Sequence, residues 1–401
     1  MATGASATGA SATADVVIVG GGVMGASTAY HLAKRGCTNV VVLESSELFG
    51  MGSTGLNAGG IRYQFATAVN IELSKLSIAM MERFADEMDQ PLGLKRCGYL
   101  FLLDDEGDLA QFRRNVALQN AHDVPSCIVD VGEIARLAPE IELSGVIGGS
   151  WCPRDGLVDP NGLLQGFVSN ARRLGALLKT GAEVIAIDDV GNDVWCVSTS
   201  DGRRYEAPTV VIAAGAWSAA IGTMVGVPLP IQPIRRQIAV TAPIANLRAD
   251  FPFIIDFSRA LYFHREGAGL LTGMSNRDEL PGYDTRVDDA WRLVHLENAM
   301  ARMPMLADAE ISAEWAGLYE VTPDDQPILG RLSNGRGLYV CAGFSGHGLM
   351  HGPAAGLLMA EEILDGRATT IDVDPLRYGR FIRDGNGEVT ADASAGEYNV
   401  V

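Results

Sequence analysis

The sequence predicts an α/β fold with an α+β second domain. A Rossmann-like dinucleotide-binding domain is interleaved with an antiparallel-sheet substrate domain. Three observations predict it. Residues 15–44 read as strand, glycine turn, helix, strand and terminal acid. Residues 231–275 read as a run of short antiparallel strands. Residues 337–364 read as a strand feeding a glycine-rich turn and a helix, so the chain ends in the architecture it began with.

The first stretch is DVVIVGGGVMGASTAYHLAKRGCTNVVVLE. Val16 to Val19 form an apolar run short enough for a buried strand. Gly20, Gly22 and Gly25 follow in the GxGxxG spacing, then a helical pattern closed by Gly36, then a second strand ending in Glu44. This is the dinucleotide fingerprint in its required context. Gly20 permits the tight turn, and Gly22 lets the backbone of Val23 and Met24 approach a pyrophosphate at the helix N-terminus. Gly25 lets helix and strand pack closely. Glu44, with Ser45 beside it, would accept from a ribose hydroxyl. The competing reading is a glycine-rich turn with no ligand. No second fingerprint follows, and a single one at the start suits a permanently bound FAD better than an exchanging nicotinamide.

At about 150 residues per domain, 401 residues give two to three domains. Apolar residues make up 47%, enough for a large core. The formal net charge of −18 argues against nucleic acid or an anionic membrane as a partner. Cys37, Cys97, Cys127, Cys152, Cys196 and Cys341 are scattered, and the six histidines show no ligand spacing with them. That pattern predicts no metal site, no disulfide framework and a reducing, cytoplasmic setting. No apolar run approaches the ~18 residues of a membrane helix. Residues 1–14 are a small-residue repeat that reads as a disordered tail.

After Glu44 the chain enters SSELFGMGSTGLNAGGIRYQF, a loop without periodicity. Ser53 and Thr54 are candidate donors to phosphate or flavin, with Asn57, Ala58 and Gly59 in the same close-approaching backbone. Arg62 is the fixed cation of this stretch. It reads as a charge near the flavin, as a clamp on a substrate carboxylate, or as a structural ion pair. Residues 66–90 predict one amphipathic helix, 97–103 a strand, 109–122 and 131–137 helices. Residues 146–160 predict a strand and turn, and 161–178 a helix capped by the Asp159-Pro160-Asn161 sequence. Residues 183–187 and 194–198 read as strands returning to the first domain. The run from Val210 to Trp217 reads as a buried strand ending in small residues; Ala214, Gly215 and Trp217 would abut the cofactor. Strands are predicted at 237–241, 253–256, 260–264, 270–274 and 310–319, and a helix at 287–303. Arg235, Arg236, Tyr262 and His264 are polar groups at strand positions, each also readable as a satisfied structural residue. Near the end, Gly343, Phe344, Ser345, Gly346, His347 and Gly348 lead into a helix beginning at Leu349. A strand, glycine turn and helix N-terminus make an anion site. The resulting division places 15–90, 146–225 and 322–383 in the FAD-binding domain. It places 91–145 and 226–321 in the substrate domain, with a flexible tail at 384–401.

Five segments together resemble the D-amino-acid oxidase superfamily of FAD enzymes, in the branch with sarcosine oxidase, glycine oxidase and the flavin subunits of proline and sarcosine dehydrogenases. They are GGGVMG with Glu44, STGLNAGGIR, VVIAAGAW, WAGLYEVTPDDQPILG and CAGFSGHGLMHGPAAG. The resemblance covers about residues 15–380. It implies two interleaved domains and oxidation of an amine C–N bond to an imine by hydride transfer to flavin N5. By motif, Gly20, Gly22, Gly25 and Glu44 would hold the ADP half, and Val184 would present its backbone to adenine. Gly343, Gly346, His347, Gly348 and Leu349 would line the pyrimidine edge. Arg62 matches the arginine at the flavin face of sarcosine oxidases. Tyr262, His264 and His347 would complete the substrate side.

Three positions depart from that pattern. Gly317 stands where covalent sarcosine oxidase has its flavin-linking cysteine, which implies non-covalent FAD. Met350 stands where a basic residue takes the substrate carboxylate. Leu271 stands where a lysine promotes reaction with oxygen. The sequence therefore predicts an FAD-dependent amine oxidoreductase for a small secondary or N-methylated amino acid. Oxygen or an electron-accepting partner takes the electrons, and a homo- or hetero-oligomer is left open. The competing readings are a tailoring oxidase of an amine without a carboxylate and a non-catalytic flavoprotein assembly factor.

Overall fold

The computed structural model describes residues 11–332, 337–383, 389–390 and 396–398. At its centre is a six-stranded sheet in the order Ile328–Arg331, Leu338–Ala342, Thr209–Ile212, Val16–Val19, Val40–Leu43, Leu177–Lys179. Its pairings are parallel except for the one between Ile328–Arg331 and Leu338–Ala342. The Val16–Val19 and Val40–Leu43 strands are buried at every position, which is why they read as unbroken apolar runs. Helices Val23–Lys34 and Gly348–Leu364 lie against each other over this sheet. A Cβ on Gly352 would overlap Val23, and one on Gly356 would overlap Ser27, so small residues set that close approach.

The parallel strands all end at the same edge of the sheet. There the chain turns through Gly20, Glu44, Ala213 and Gly343. In open parallel sheets the crevice beyond the carboxyl ends of the strands is where ligands bind.

The second large sheet has eight strands, in the order Ile311–Val321, Gln232–Thr241, Gly269–Met274, Leu261–Glu266, Phe253–Asp256, Tyr99–Leu103, Gly148–Cys152, Cys127–Val129. Apart from the parallel pair Phe253–Asp256 and Tyr99–Leu103 it is antiparallel. A four-stranded sheet, Ser11–Thr13, Arg204–Ala207, Val194–Thr199 and Val184–Gly191, packs beside the first.

Several elements differ from the sequence reading. The single helix predicted over 66–90 is two, Ala68–Glu82 and Phe84–Met88, separated by Arg83 at φ −102°, ψ 3°. The helix predicted to run to 178 ends at Arg173. Gly175 at φ +104° reverses the chain, and Leu177–Lys179 becomes the edge strand beside Val40–Leu43. Gly148–Cys152, assigned by sequence to the nucleotide domain, joins the eight-stranded sheet because Tyr99–Leu103 pairs with it. The strands Arg204–Ala207 and Ile328–Arg331 were not predicted.

Both tails are corrected in part. Ser11–Thr13 pairs with Arg204–Ala207 in parallel, whereas residues 1–10 lie outside the described residues. Within the 384–401 tail, Glu397 is buried and its carboxylate accepts from Ala66 N at 2.7 Å and Asn70 Nδ2 at 3.0 Å. Thr67, the cap residue of helix Ala68–Glu82, also donates its hydroxyl to this carboxylate at 3.1 Å, so Glu397 ties the tail to the segment that opens the helix. The rest of that tail, apart from 389–390, 396 and 398, lies outside the described residues.

The predicted cap at Asp159 is present, with Pro160 opening the helix and the Asp159 carboxylate accepting from Asn161 N at 2.9 Å. Asp159→Ala is expected to cost about 1 kcal/mol, read as a lower urea midpoint with an unchanged slope.

Candidate active site

The crevice beyond the parallel strands and one face of the eight-stranded sheet enclose a cavity of about 460 Å³. Gly20, Gly22, Val23, Met24, Glu44 and Ser45 line its nucleotide side, and Ala182, Glu183 and Val184 continue it. Gly20 has φ +109°, and a Cβ there would overlap the Ala213 carbonyl. The Glu44 carboxylate is held at the strand end by Gly21 N and Ser46 N, both at 2.9 Å. Helix Val23–Lys34 has no side-chain cap; Val23 N donates to Thr54 Oγ1 at 3.1 Å. The Ser53 hydroxyl donates to Leu318 O at 2.7 Å and Trp315 Nε1 to Leu56 O at 2.8 Å, which seams this loop to the eight-stranded sheet.

Ser345, Gly346, His347, Gly348 and Leu349 form the opposite rim, where helix Gly348–Leu364 also begins without a side-chain cap. Two helix N-termini whose own N-cap residues supply no side-chain acceptor thus open on one cavity, each preceded by glycines. A Cβ on Gly346 would overlap the Tyr319 ring. Orphan N–H groups and a positive dipole end favour anionic groups. This donor set fits FAD, whose pyrophosphate and electron-rich ring edge are the anionic groups such helix ends would hold.

The third wall is side chains of the eight-stranded sheet. Tyr99, Phe253, Tyr262, Ile238, Arg236 and Tyr319 all line the cavity. Tyr99 and Phe253 stack with centroids 4.1 Å apart. Arg62 faces the same space. It is buried, its guanidinium lies 4.0 Å from the Phe65 ring centroid, and Nη1 donates to Gln64 O. Burial pulls its pKa down and Glu397 opposes that most strongly, but a guanidinium has far to fall before it loses its charge. Behind it, Asp155 accepts from Tyr63 N at 2.7 Å and Gln64 Nε2 at 2.9 Å, and burial pushes its carboxyl up to about 6.

His347 lines the cavity, and its ring nitrogens have no well-formed hydrogen-bond partner among the described residues. Burial, then His351 and Arg62, holds it neutral, and its ring stands 5.0 Å from that of His351. Glu320 is half-buried in the cavity wall and accepts from Gly343 N at 2.8 Å. Burial pushes its carboxyl up to about 7. A carboxyl raised in the folded state stabilises the fold below its unfolded pKa, and that contribution is lost as pH rises through about 7. Glu320→Gln is therefore expected to gain in Tm on the wild type as pH goes from 4.5 to 8, measured by thermal melts of flavin-free protein. A constant difference across that range contradicts this assignment.

The structure brings together Arg62, Tyr262 and His347 but not His264. That ring lies behind Phe253, centroids 5.0 Å apart, with Nδ1 on the Arg265 carbonyl, and it does not line the cavity. Its strand alternation explains this: Tyr262 and His264 share a face, but the Phe253 ring covers the second. Asn57, Ala58, Ala214, Gly215 and Trp217 line the cavity, whereas Gly25, Gly59, Gly343 and Phe344 do not. Gly25 packs on Gly20, and Phe344 is core. Sequence reasoning missed Tyr99, Phe253, Tyr319 and Glu320. The alternation of Leu318, Tyr319 and Glu320 in a strand bordering a glycine turn was the available signal. Among the described residues no group of His, Cys, Asp and Glu could hold a metal ion, and no helix is long and apolar enough to cross a membrane.

The sequence model of the D-amino-acid oxidase family, described as FAD dependent oxidoreductase, matches residues 15–362. The chain belongs to this family. The chain is 32% identical over 410 residues to mitochondrial dimethylglycine dehydrogenase of Mus musculus, covering 97% of this chain and 47% of that protein. It spans about half the length of that relative. Its fold matches L-proline dehydrogenase from P. horikoshii with a TM-score of 0.85 at 32% identity, over 92% of this chain and 98% of that one. It matches glycine oxidase from Geobacillus kaustophilus with a TM-score of 0.83 at 27% identity, over 92% of this chain and all of the other. The α/β architecture with its antiparallel partner sheet and the FAD cofactor expected from sequence both follow from this membership.

Proposed function

We propose that this chain oxidises the C–N bond of a small secondary or N-methylated amino acid to the imine, using non-covalently bound FAD. The observation that carries this reading is the cavity. A glycine-cradled nucleotide crevice faces a sheet surface of aromatic rings with guanidinium groups among them. The dimethylglycine and L-proline dehydrogenases it resembles bear the names of tertiary and secondary amino acids, which supports the substrate class.

FAD, when bound, supplies the acceptor for the hydride equivalent removed from the carbon next to nitrogen. The chain's own residues have four tasks. The glycine turns and helix N-termini would hold the pyrophosphate and the ring edge. Tyr99, Phe253 and Tyr262 exclude water and fix the plane of the amine. Arg62 keeps a permanent positive charge in the site. His347, held neutral, adds no competing charge and leaves the amine free to enter as the neutral base. Gly317 carries no nucleophile, which supports the non-covalent mode.

The test is product analysis after anaerobic mixing with dimethylglycine, sarcosine and proline in turn. One equivalent of carbonyl or cyclic imine product per flavin reduced is expected. Reduction without such a product, or no reduction by any of them, contradicts the reading.

A further inference from the structure

We propose that Arg236 receives the substrate's carboxylate, so that the enzyme selects amino acids over simple amines. This rests on the function proposed above and names the group that reads its substrate.

The strand Gln232–Thr241 carries two arginines in succession, and strand alternation sends them to opposite faces. Arg235 turns outward to an acidic loop, where Nε meets Glu279 Oε1 at 3.0 Å and Nη2 meets Asp288 Oδ2 at 3.4 Å. That arginine is spent on structure. Arg236 turns inward and lines the cavity with Ile238.

Its surroundings leave it short of an anion. Nη1 donates to two carbonyls, Arg235 O at 3.0 Å and Asn276 O at 3.4 Å. Nε is buried with no hydrogen-bond partner, and among the described residues no carboxylate comes within ion-pair distance of this guanidinium. A half-buried cation with a buried donor unused is costly unless an anion completes it. The cross-strand partner of Arg236 is Gly317, so no side chain stands directly opposite it on that strand. Tyr319 lies beside it, ring centroid at 5.2 Å, and Tyr262 projects from the same sheet face. A planar fork with an open edge, flanked by hydroxyls in an apolar wall, is chemistry suited to a carboxylate.

Arg62 is less suited. Its fork already serves the Gln64 carbonyl, its face is stacked on Phe65, and Glu397 supplies it with negative charge. Met350, at the helix entrance, is apolar and lines the same cavity.

The test uses the FAD-loaded enzyme and a probe that cannot be oxidised, pyrrole-2-carboxylate, followed by perturbation of the flavin spectrum. Neutral pyrrole is the control. In Arg236→Gln the dissociation constant of the carboxylate should rise by about 10- to 100-fold, with pyrrole unchanged, and Arg236→Lys should recover part of it. Binding in Arg236→Gln within about threefold of wild type, or loss in Arg62→Gln instead, overturns the assignment. So does the absence of saturable binding to the wild type. If Arg236→Gln fails to retain FAD, Arg236→Lys decides: several-fold weaker binding of the carboxylate alone supports the proposal, and unchanged binding overturns it. If the wild type binds the probe through Arg236 yet no amine reduces it, the proposed function fails and this assignment stands.

Discussion

Gly25→Ala is expected to yield protein with little or no bound FAD and a lowered Tm. The added Cβ would overlap the Gly20 carbonyl oxygen and press on Ile18, and both belong to the strand and turn that the helix must meet. Neither can give way cheaply. The Gly20 turn is itself fixed, with φ +109° and the Ala213 carbonyl packed against its Cα. Overpacking of this kind costs about 1–3 kcal/mol even where side chains can shift, and here the obstacle is backbone. The helix must slide outward, carrying the N–H groups of its first turn away from the pyrophosphate position. Gly282→Ala is the control, since nothing lies within 4 Å of its Cβ position. Flavin absorbance per protein and a thermal melt check both variants. Full FAD content in Gly25→Ala would remove the first motif from the account.

Arg62→Gln is expected to slow anaerobic reduction at saturating substrate by about 10²–10³-fold, the usual cost of losing one preorganised electrostatic group in a dry site. The dissociation constant for a carboxylate probe should change little. The reasoning is positional. Arg62 is 6% exposed and its guanidinium is held by its carbonyl acceptor and stacked ring, which fixes where its charge lies. Removing it takes away a fixed potential. Stopped-flow reduction across substrate concentrations separates the two effects. A raised KM with kcat intact would make Arg62 the clamp and Arg236 a structural residue.

Much of this architecture was legible because its constraints are local. The Val16–Glu44 unit needs one apolar run, glycines at fixed spacing and a terminal acid, all within thirty residues. The same holds for the strand, turn and helix around Gly346. The Asp159 cap was legible for the same reason. What escaped was set by distant partners. Leu177–Lys179 became a strand because Val40–Leu43 offered it a parallel edge. Glu397 is held by donors far earlier in the chain, Ala66 N, the Thr67 hydroxyl and the Asn70 side chain. His264 was a fair candidate by chemistry, and only the position of Phe253, on a different strand, removed it from the cavity. Arg235 and Arg236 look alike in sequence. The loop carrying Glu279 and Asp288 and the bare Gly317 across the sheet distinguish them.

The most direct test of the central claim is the visible spectrum of the purified protein, recorded anaerobically before and after adding dimethylglycine, sarcosine or proline. The expected result is an oxidised flavin band, released by denaturation as free FAD, that bleaches with at least one of these amino acids. Readmitted air then tells an oxidase from a dehydrogenase. A flavin band that no secondary or N-methylated amino acid bleaches contradicts the proposed reaction. No flavin band, even after reconstitution with FAD, contradicts the reading of the cavity itself.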